Sequence, residues 1–566
     1  MRKLIAGLSV VFMVGLFASC NKFLDEMPDN RTQIDNLEKV KALLVTAYPA
    51  KCYATWLEPR CDGMADHGAT LDGTQPSASF AFIYTAYRWD EYPSMENDDD
   101  AEAYWTACYG AIAAANHALE ALDELGHPKG SEPYRAEALL CRAYAHFCLL
   151  TLFTDFFDEA NRGTNPGIPY VTEPEDVINK QYDRETVAAT LAKVKDDLAE
   201  GLKGVGTASD FVQPKFHFTL DAARMLALRI ALFERDYPSV ISYASQLIPQ
   251  PTNFVNIVDQ QQQPLLNADG SEVKIPHPND FASLFCVSNL FDWRAANSAY
   301  SGSTEFQLAF CNANNANIIL AGEPYSLLNR TSMSTAYTRY THGGKEFNAI
   351  LGANASGVNW YMPIFGFNGA PADAPGFLPK IYEDFKVTNI NANTGQPYVR
   401  FALFRLEEAL LARAEAYAMT GEYDKALADL TMFSQRRVQS ENIVQYYYSR
   451  DKVVDYYTDI LTLSDHYMNS NFNAGRFSAA LSTYEGKLQR GLVLAVLDAR
   501  RMEYIYEGMR WFDILRWNIP VTHTMLSGES STLTPDDDRR VIQIPETASL
   551  SGLEKNSYDH IPQPWS

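Results

Sequence analysis

Apolar positions recur at helical spacing along most of the chain. Leu37 to Tyr48 carries one amphipathic stripe. Ala101 to Leu125 carries a second, rich in alanine, with Tyr104, Cys108, Ile112, Ala115 and Leu119 three or four residues apart. Pro133 opens a third, which runs to about Phe153; a first helical turn has no use for the N–H that proline lacks. Arg405 to Met419 places Leu406, Leu410, Ala414 and Tyr417 on one face, Gly421 stops that helix, and another begins at Tyr423. Within this pair Ala414, Tyr417, Ala426, Leu430 and Phe433 sit where a tetratricopeptide unit keeps its small and aromatic packing residues. A weaker copy covers 219–248, with Ala231, Tyr237, Val240, Ala244 and Leu247 in register. The pattern predicts an all-α fold of tetratricopeptide-like repeats over about 37–250 and 400–520.

Between about 250 and 400 the pattern changes. Asn, Gly, Ser, Pro and aromatic residues dominate, as in Asn312-Ala313-Asn314-Asn315 and Asn359-Trp360-Tyr361-Met362-Pro363. Turn chemistry is dense and helical periodicity poor. A structureless loop of this length inside a compact domain is unusual. An irregular, ligand-binding insert is therefore expected, within one domain spanning 37–566.

The first residues read differently again. Arg2 and Lys3 precede an uncharged, largely apolar run from Leu4 to Phe17. That is shorter than the roughly 20 residues of a membrane span and suits a signal peptide. The run ends in Ala18-Ser19-Cys20, small residues before a cysteine, as a lipoprotein signal peptidase requires. Residues 1–19 are thus expected to be removed, Cys20 to carry lipid, and 20–36 to form a polar tether. One acyl chain holds a protein marginally, whereas several hold it firmly. No other apolar stretch is expected to span a membrane.

The formal net charge is −23. The leader contains two bases and no acids, so the mature chain would carry −25. Such a chain is a poor partner for nucleic acid or an anionic lipid surface. Seven cysteines besides Cys20 are too few for a disulfide scaffold. Cys52 and Cys61 lie near each other, and whether they pair is open. Cys108, Cys141 and Cys148 fall in helical patterns as small buried hydrophobes.

No HExxH, CxxC or Gly-x-Ser-x-Gly motif occurs. Gly343-Gly344-Lys345 is followed by Glu346 where a phosphate loop needs Ser or Thr. Asn267-Ala268-Asp269-Gly270 lacks the first acid of a calcium loop. Asp98-Asp99-Asp100 is expected to be a solvated loop that caps the helix after it. Neither a cofactor nor a metal is expected, and no catalytic residue is singled out.

Several segments together resemble the SusD/RagB family of outer-membrane nutrient-binding lipoproteins of Bacteroidetes. They are Cys20-Asn21-Lys22-Phe23-Leu24-Asp25, Trp105 to Asn116, Arg135 to Tyr144, Leu403 to Leu427 and, most specifically, Asp498 to Trp517. In the last, helical geometry places Arg500, Glu503, Glu507 and Arg510 on one stripe, opposite Met502, Ile505, Met509 and Phe512. The stripe is expected to be a structural ion network rather than a catalytic site. The resemblance implies a non-enzymatic lipoprotein at the outer face of the outer membrane. It would capture an oligosaccharide and pass it to a SusC-like TonB-dependent transporter. A branch of the family handles peptides instead.

Sugar rings present apolar C–H faces that flat aromatic rings complement. Loop aromatics are therefore the ligand candidates: Trp56, Trp89, Tyr92, Trp293, Tyr300, Trp360 and Tyr361, with Asp66 among the polar neighbours that include Arg60, Asp62, His67, Arg88, Asp90, Arg294 and Asn297. The competing readings are peptide capture, a surface glycoside hydrolase with two carboxyls facing across a cleft, and a scaffold that binds only protein.

Overall fold

A computed structural model describes residues 34–68, 81–92, 99–175, 180–293, 303–329, 339–352, 354–357, 360, 365–366, 376–378, 380–392, 394–438, 445–464, 466–469, 472–561 and 565. Cys20, Tyr300 and Tyr361 lie outside these residues, as do Arg294 and Asn297.

Helix α1 (Leu37–Leu44) and the single turn α2 (Ala54–Leu57) lead to strand β1 (Met64–Asp66). Helices α3 (Ala81–Arg88), α4 (Ala101–Glu124), α5 (Glu132–Phe153), α6 (Val187–Gly204), α7 (Leu220–Glu234) and α8 (Tyr237–Leu247) follow. The middle of the chain holds hairpin β2–β3 (Phe254–Asn256, Lys274–Pro276), α9 (Phe281–Asn289), α10 (Ser303–Phe310), β4 (Ile318–Gly322), β5 (Tyr340–His342) and α11 (Gly344–Leu351). Hairpin β6–β7 (Glu383–Asn389, Thr394–Val399) and β8 (Phe401–Arg405) return the chain to helices α12 (Leu406–Met419), α13 (Tyr423–Ser434), α14 (Arg450–Thr462), α15 (Tyr484–Glu503) and α16 (Met509–Arg516). Hairpin β9–β10 (Val521–Thr524, Ser530–Leu533) and α17 (Glu546–Leu550) complete the fold.

The helices begin and end where local chemistry directs. The Asp100 carboxylate accepts from Ala103 N at 2.9 Å and caps α4. Thr219 caps α7, Asp236 caps α8, and Pro133 sits in the first turn of α5. Gly421 takes φ +82 between α12 and α13. Neighbouring pairs α4–α5, α5–α6, α7–α8, α12–α13 and α14–α15 pack in succession, and α12 also packs on α8 and α15. Both predicted repeat units are thus helical hairpins in contact. Their motif residues face inward: Ala414, Ala426, Leu430 and Phe433 are fully buried, as are Val240 and Ala244. Buried apolar side chains from Val40 to Ile544 form one connected core. Helix α5 is long and apolar enough to cross a membrane, a stretch unforeseen above, but 94% of its apolar window is buried inside the fold.

Residues 250–400 contain short antiparallel ladders and short helices. Strand β1 pairs with β5 (Asp66 opposite Tyr340), and β4 pairs with β8 across a register shift. The cysteines from Cys52 to Cys311 are free and buried. Cys52 and Cys61 are unbridged: Cys61 Sγ donates to Leu57 O, and Cys52 Sγ accepts from Ala54 N.

Two expectations are corrected. The 498–517 segment is not one helix: α15 ends at Glu503, Tyr506 and Gly508 take φ +64 and +71, and α16 begins at Met509. A Cβ at Gly508 would lie 2.9 Å from Ala54 Cα, so only glycine fits both the dihedral and the space. The Glu58 carboxylate accepts from Tyr506 N and Gly508 N, each at 2.8 Å, which satisfies the turn's amides. Arg516 pairs with Asp513 within α16, but the charges of the stripe pair with other elements. Arg405 reaches Glu503 and Glu507, Arg437 reaches Glu503 and Glu407, Arg500 reaches Asp513, and Arg516 reaches Glu415. All are buried, which matches a structural network. The second correction concerns Asp99. It is not solvated but fully buried, accepting from Ser326 Oγ at 2.9 Å and Leu327 N at 2.8 Å.

Candidate functional site

Strand β5 and the two turns of α3 meet the C-terminal hairpin β9–β10 in a ladder of flat rings. Tyr340 stacks on Tyr87 (centroids 4.5 Å apart), Tyr87 on His523 (4.2 Å), and His523 on Trp89 (4.3 Å). Trp565 lies 6.2 Å beyond Trp89, and Tyr84 lies 5.8 Å from Tyr340. The His523 ring nitrogens face Tyr87 O and Cys61 O at 2.7 and 2.8 Å. Burial holds its pKa down at about 4, so the ring is neutral and donates to one carbonyl at a time.

Trp89 anchors the ladder. It follows α3 at φ +56, with Trp89 N bonded to Ala86 O and Asp90 N to Thr85 O, the double closure of a helix end that usually has glycine at this place. Stacking on His523 and an indole bond to Arg60 O at 3.0 Å hold the strained backbone. The ring is 1% exposed.

Burial corrects the expected orientation of four tryptophans, since a ring without an exposed face cannot stack on a sugar. Trp56 is on α2 rather than in a loop, fully buried against Tyr104 and Phe153. Trp293 is fully buried among Phe306, Phe310 and the Lys380 and Arg437 cations of the ion network. Trp360 is 5% exposed and donates to Ser434 Oγ at 3.3 Å. Trp89 completes the four. Loop position in the sequence signals turn chemistry, and large rings often rigidify such turns by filling the space beneath them.

Asp66 is buried too. It accepts from both Arg339 Nε and Arg339 Nη2, and from Gly68 N and Leu526 N at 2.9 Å each. Burial pushes its carboxyl up, but these donors outweigh it and hold the pKa below the usual value. Asp66 therefore positions Arg339, which lies 5.3 Å over Tyr340. Arg60 and Asp62 are likewise committed, to Arg539 O and to Arg510.

The outer surface of the ladder remains open. Tyr84 is 43% exposed. The Arg88 guanidinium lies between it and Trp565, 5.6 Å over the first ring and 4.6 Å over the second, while Trp565 Nε1 donates to Arg88 O. Asp90 pairs with Arg88 Nε at 3.0 Å, and Glu529 lies 3.9 Å from Arg88 Nη1. Tyr92 is half-buried and donates to Trp56 O. The structure thus gathers Asp66, His67, Arg88, Trp89, Asp90 and Tyr92 at one end and sets Trp293 and Trp360 apart. Tyr84, Tyr340, His523 and Trp565 were passed over. Tyr84 sits in a helical pattern; Trp565, between Pro564 and the end of the sequence, meets the loop-aromatic criterion and could have been found.

Elsewhere, a cavity of about 500 Å³ lies at the end of α16. Its arginines are engaged: Arg235 and Arg476 both donate to Arg516 O, and Arg540 to Ile514 O and Ile519 O. They neutralise a helix C-terminus. Among the described residues no group of three or more His, Cys, Asp or Glu side chains could hold a metal.

Two family patterns match the chain: one described as starch-binding associating with outer membrane, over residues 22–232, and one described as the SusD family, over 371–548. A SusD-like protein of Formosa agariphila, P38, is 21% identical over 94% of each chain. A SusD superfamily protein of Bacteroides thetaiotaomicron has the same fold, with a TM-score of 0.57 at 15% identity, covering 92% of this chain and all of that one. So has a SusD-like carbohydrate binding protein of Bacteroides vulgatus, with a TM-score of 0.56 at 14% identity, covering 91% and 96%. The ion-network helices and the α12–α13 repeat hairpin fall inside the matched ranges, and the chain belongs to the SusD/RagB family.

Proposed function

We propose that the protein is a non-enzymatic, cell-surface glycan-binding lipoprotein. It captures an oligosaccharide outside the outer membrane and delivers it to a SusC-like TonB-dependent transporter, held nearby by lipid on Cys20. The observation that carries the binding reading is the platform made by the exposed Tyr84 ring and the part-buried Arg88 and Trp565, with Tyr92 and Asp90 beside it. Two aromatic rings flanking a guanidinium offer C–H stacking and hydroxyl recognition together. The ladder beneath fixes the rings before a ligand arrives, which lowers the ordering cost of binding. The descriptions of the matching family and of a fold neighbour, starch-binding and carbohydrate binding, support the same ligand class. The leader ending at Cys20 supports the anchor.

The test is affinity electrophoresis of protein lacking residues 1–20 through gels containing starch and other plant, host and microbial polysaccharides. Retardation by at least one glycan, relieved by Tyr84→Ala with Arg88→Ala, is the expected result. No retardation by any glycan, with binding to peptides instead, would overturn the reading, as would release of reducing ends from a retarding glycan.

A further inference from the structure

We propose a second saccharide site, a cleft between α4, residues 169–175 and 180–182, and α17, sized for one neutral pyranose ring. The cleft encloses about 270 Å³. That is just below the roughly 300 Å³ at which pockets for drug-sized ligands begin, so it suits a ring rather than a chain. Its floor is apolar. Trp105 and Tyr109 stand one helical turn apart on α4 with ring centroids 5.0 Å apart, and Val171 and Leu553 complete the floor. Tyr109 is held in place by its hydroxyl, which donates to Pro169 O at 3.0 Å.

The rim is polar. Tyr182 donates to Glu175 Oε1 at 2.5 Å, the Lys180 ammonium lies 5.3 Å over the Tyr182 ring, and Ser551 stands opposite on the C-terminal side. Carboxylate, ammonium and hydroxyl together supply donors and acceptors for ring hydroxyls. The opposite charges of Glu175 and Lys180 cancel, which favours a neutral ligand over a uronic acid or an amine. An apolar floor with a polar rim matches a pyranose, whose C–H face is apolar and whose edge carries the hydroxyls.

The cleft is distinct from the Tyr84 platform but tied to it through the C-terminal segment. Lys555 pairs with Glu91, beside Tyr92, at 2.5 Å and with Glu546, at the start of α17, at 2.8 Å. The choice of a saccharide as ligand rests on the glycan reading above; the geometry of the cleft does not.

The test is ligand-observed saturation-transfer NMR on the leaderless protein with the methyl glycosides of glucose, galactose, mannose and xylose. At least one should show transfer to its ring protons. Tyr182→Ala should raise its Kd about three- to tenfold, the span of one aromatic contact. Ala548→Trp, which fills the cleft without removing a contact, should abolish the signal, and Tyr84→Ala should leave it unchanged. A wild-type protein that binds none of the four overturns the proposal, as does a Kd that neither Tyr182→Ala nor Ala548→Trp changes. Retardation in polysaccharide gels without any methyl glycoside signal overturns the cleft alone; absence of both overturns the cleft and the glycan reading together.

Discussion

Arg405 holds two carboxylates that belong to opposite sides of one turn: it donates to Glu503 at 2.8 Å and to Glu507 at 2.8 Å. Glu503 ends α15, Glu507 lies inside the turn before α16, and Arg405 itself ends β8. Burial pushes the Glu503 carboxyl up, yet Arg437 and Arg405 outweigh it and hold its pKa below the usual value. The family's most specific segment therefore acts as a buried clamp between the helical repeats and the C-terminal helices.

Arg405→Met should leave two buried acids short of a partner. Breaking a buried pair from one side costs about 3–5 kcal/mol, softened here because Arg437 and Lys380 remain. Denaturant unfolding should show the loss, whereas glycan binding by the remaining folded protein should be unchanged.

Gly508→Ala meets both an unfavourable dihedral and the backbone of Ala54. A destabilisation of about 1–3 kcal/mol is expected. An unfolding midpoint equal to wild type would show that the α15–α16 turn relaxes freely.

Trp89 and Tyr84 should separate stability from binding. Trp89→Ala empties a buried, stacked position and should cost about 3–5 kcal/mol. Tyr84→Ala, at an exposed position, should change stability by no more than about 0.5 kcal/mol. At temperatures where both are folded, Tyr84→Ala should lose retardation in glycan gels, whereas Trp89→Ala, which loosens the ladder under the platform, should only weaken it.

Asp99 makes stability depend on pH. Burial pushes its pKa up to about 7, although Leu327 N, Thr55 and Ser326 favour the charged form. The unfolded value is about 3.9. The folded state thus binds the proton more tightly, so this contribution is fully present below about pH 4 and lost as pH rises through 7. Asp99→Asn cannot titrate. Its stability relative to wild type should rise from pH 4 to pH 8 by a few kcal/mol on the order of three pKa shifts. Paired denaturant titrations at pH 4, 6 and 8 measure it; a flat difference would place Asp99 in a wetter setting.

Cys20→Ala should abolish incorporation of labelled palmitate and move the protein from the membrane fraction to the soluble fraction. Unchanged labelling would remove Cys20 as the anchor.

The helical architecture was legible because the repeat hairpins bury one stripe each. Ala414, Ala426 and Phe433 must recur at set spacings for two helices to approach, and that spacing is written in the chain. The break at 504–508 was not legible, because Tyr506 and Gly508 leave the helix only in response to Glu58 and Ala54, far away in sequence. The candidate site was legible in part. Arg88, Asp90 and Tyr92 fall beside the platform, but Tyr84 reads as one more helical residue and Trp565 lies far off at the other end of the chain.

The sequence by itself determined the fold class and the family, because each rests on local spacing or on a contiguous motif. Only the tertiary structure decided which aromatic rings face water. Exposure depends on what packs above a residue, and for Trp56, Trp89, Trp293 and Trp360 that covering comes from segments tens to hundreds of residues away. The same long-range packing turned the Arg and Glu stripe of 500–510 from neighbours on one helix into a clamp joining separate elements.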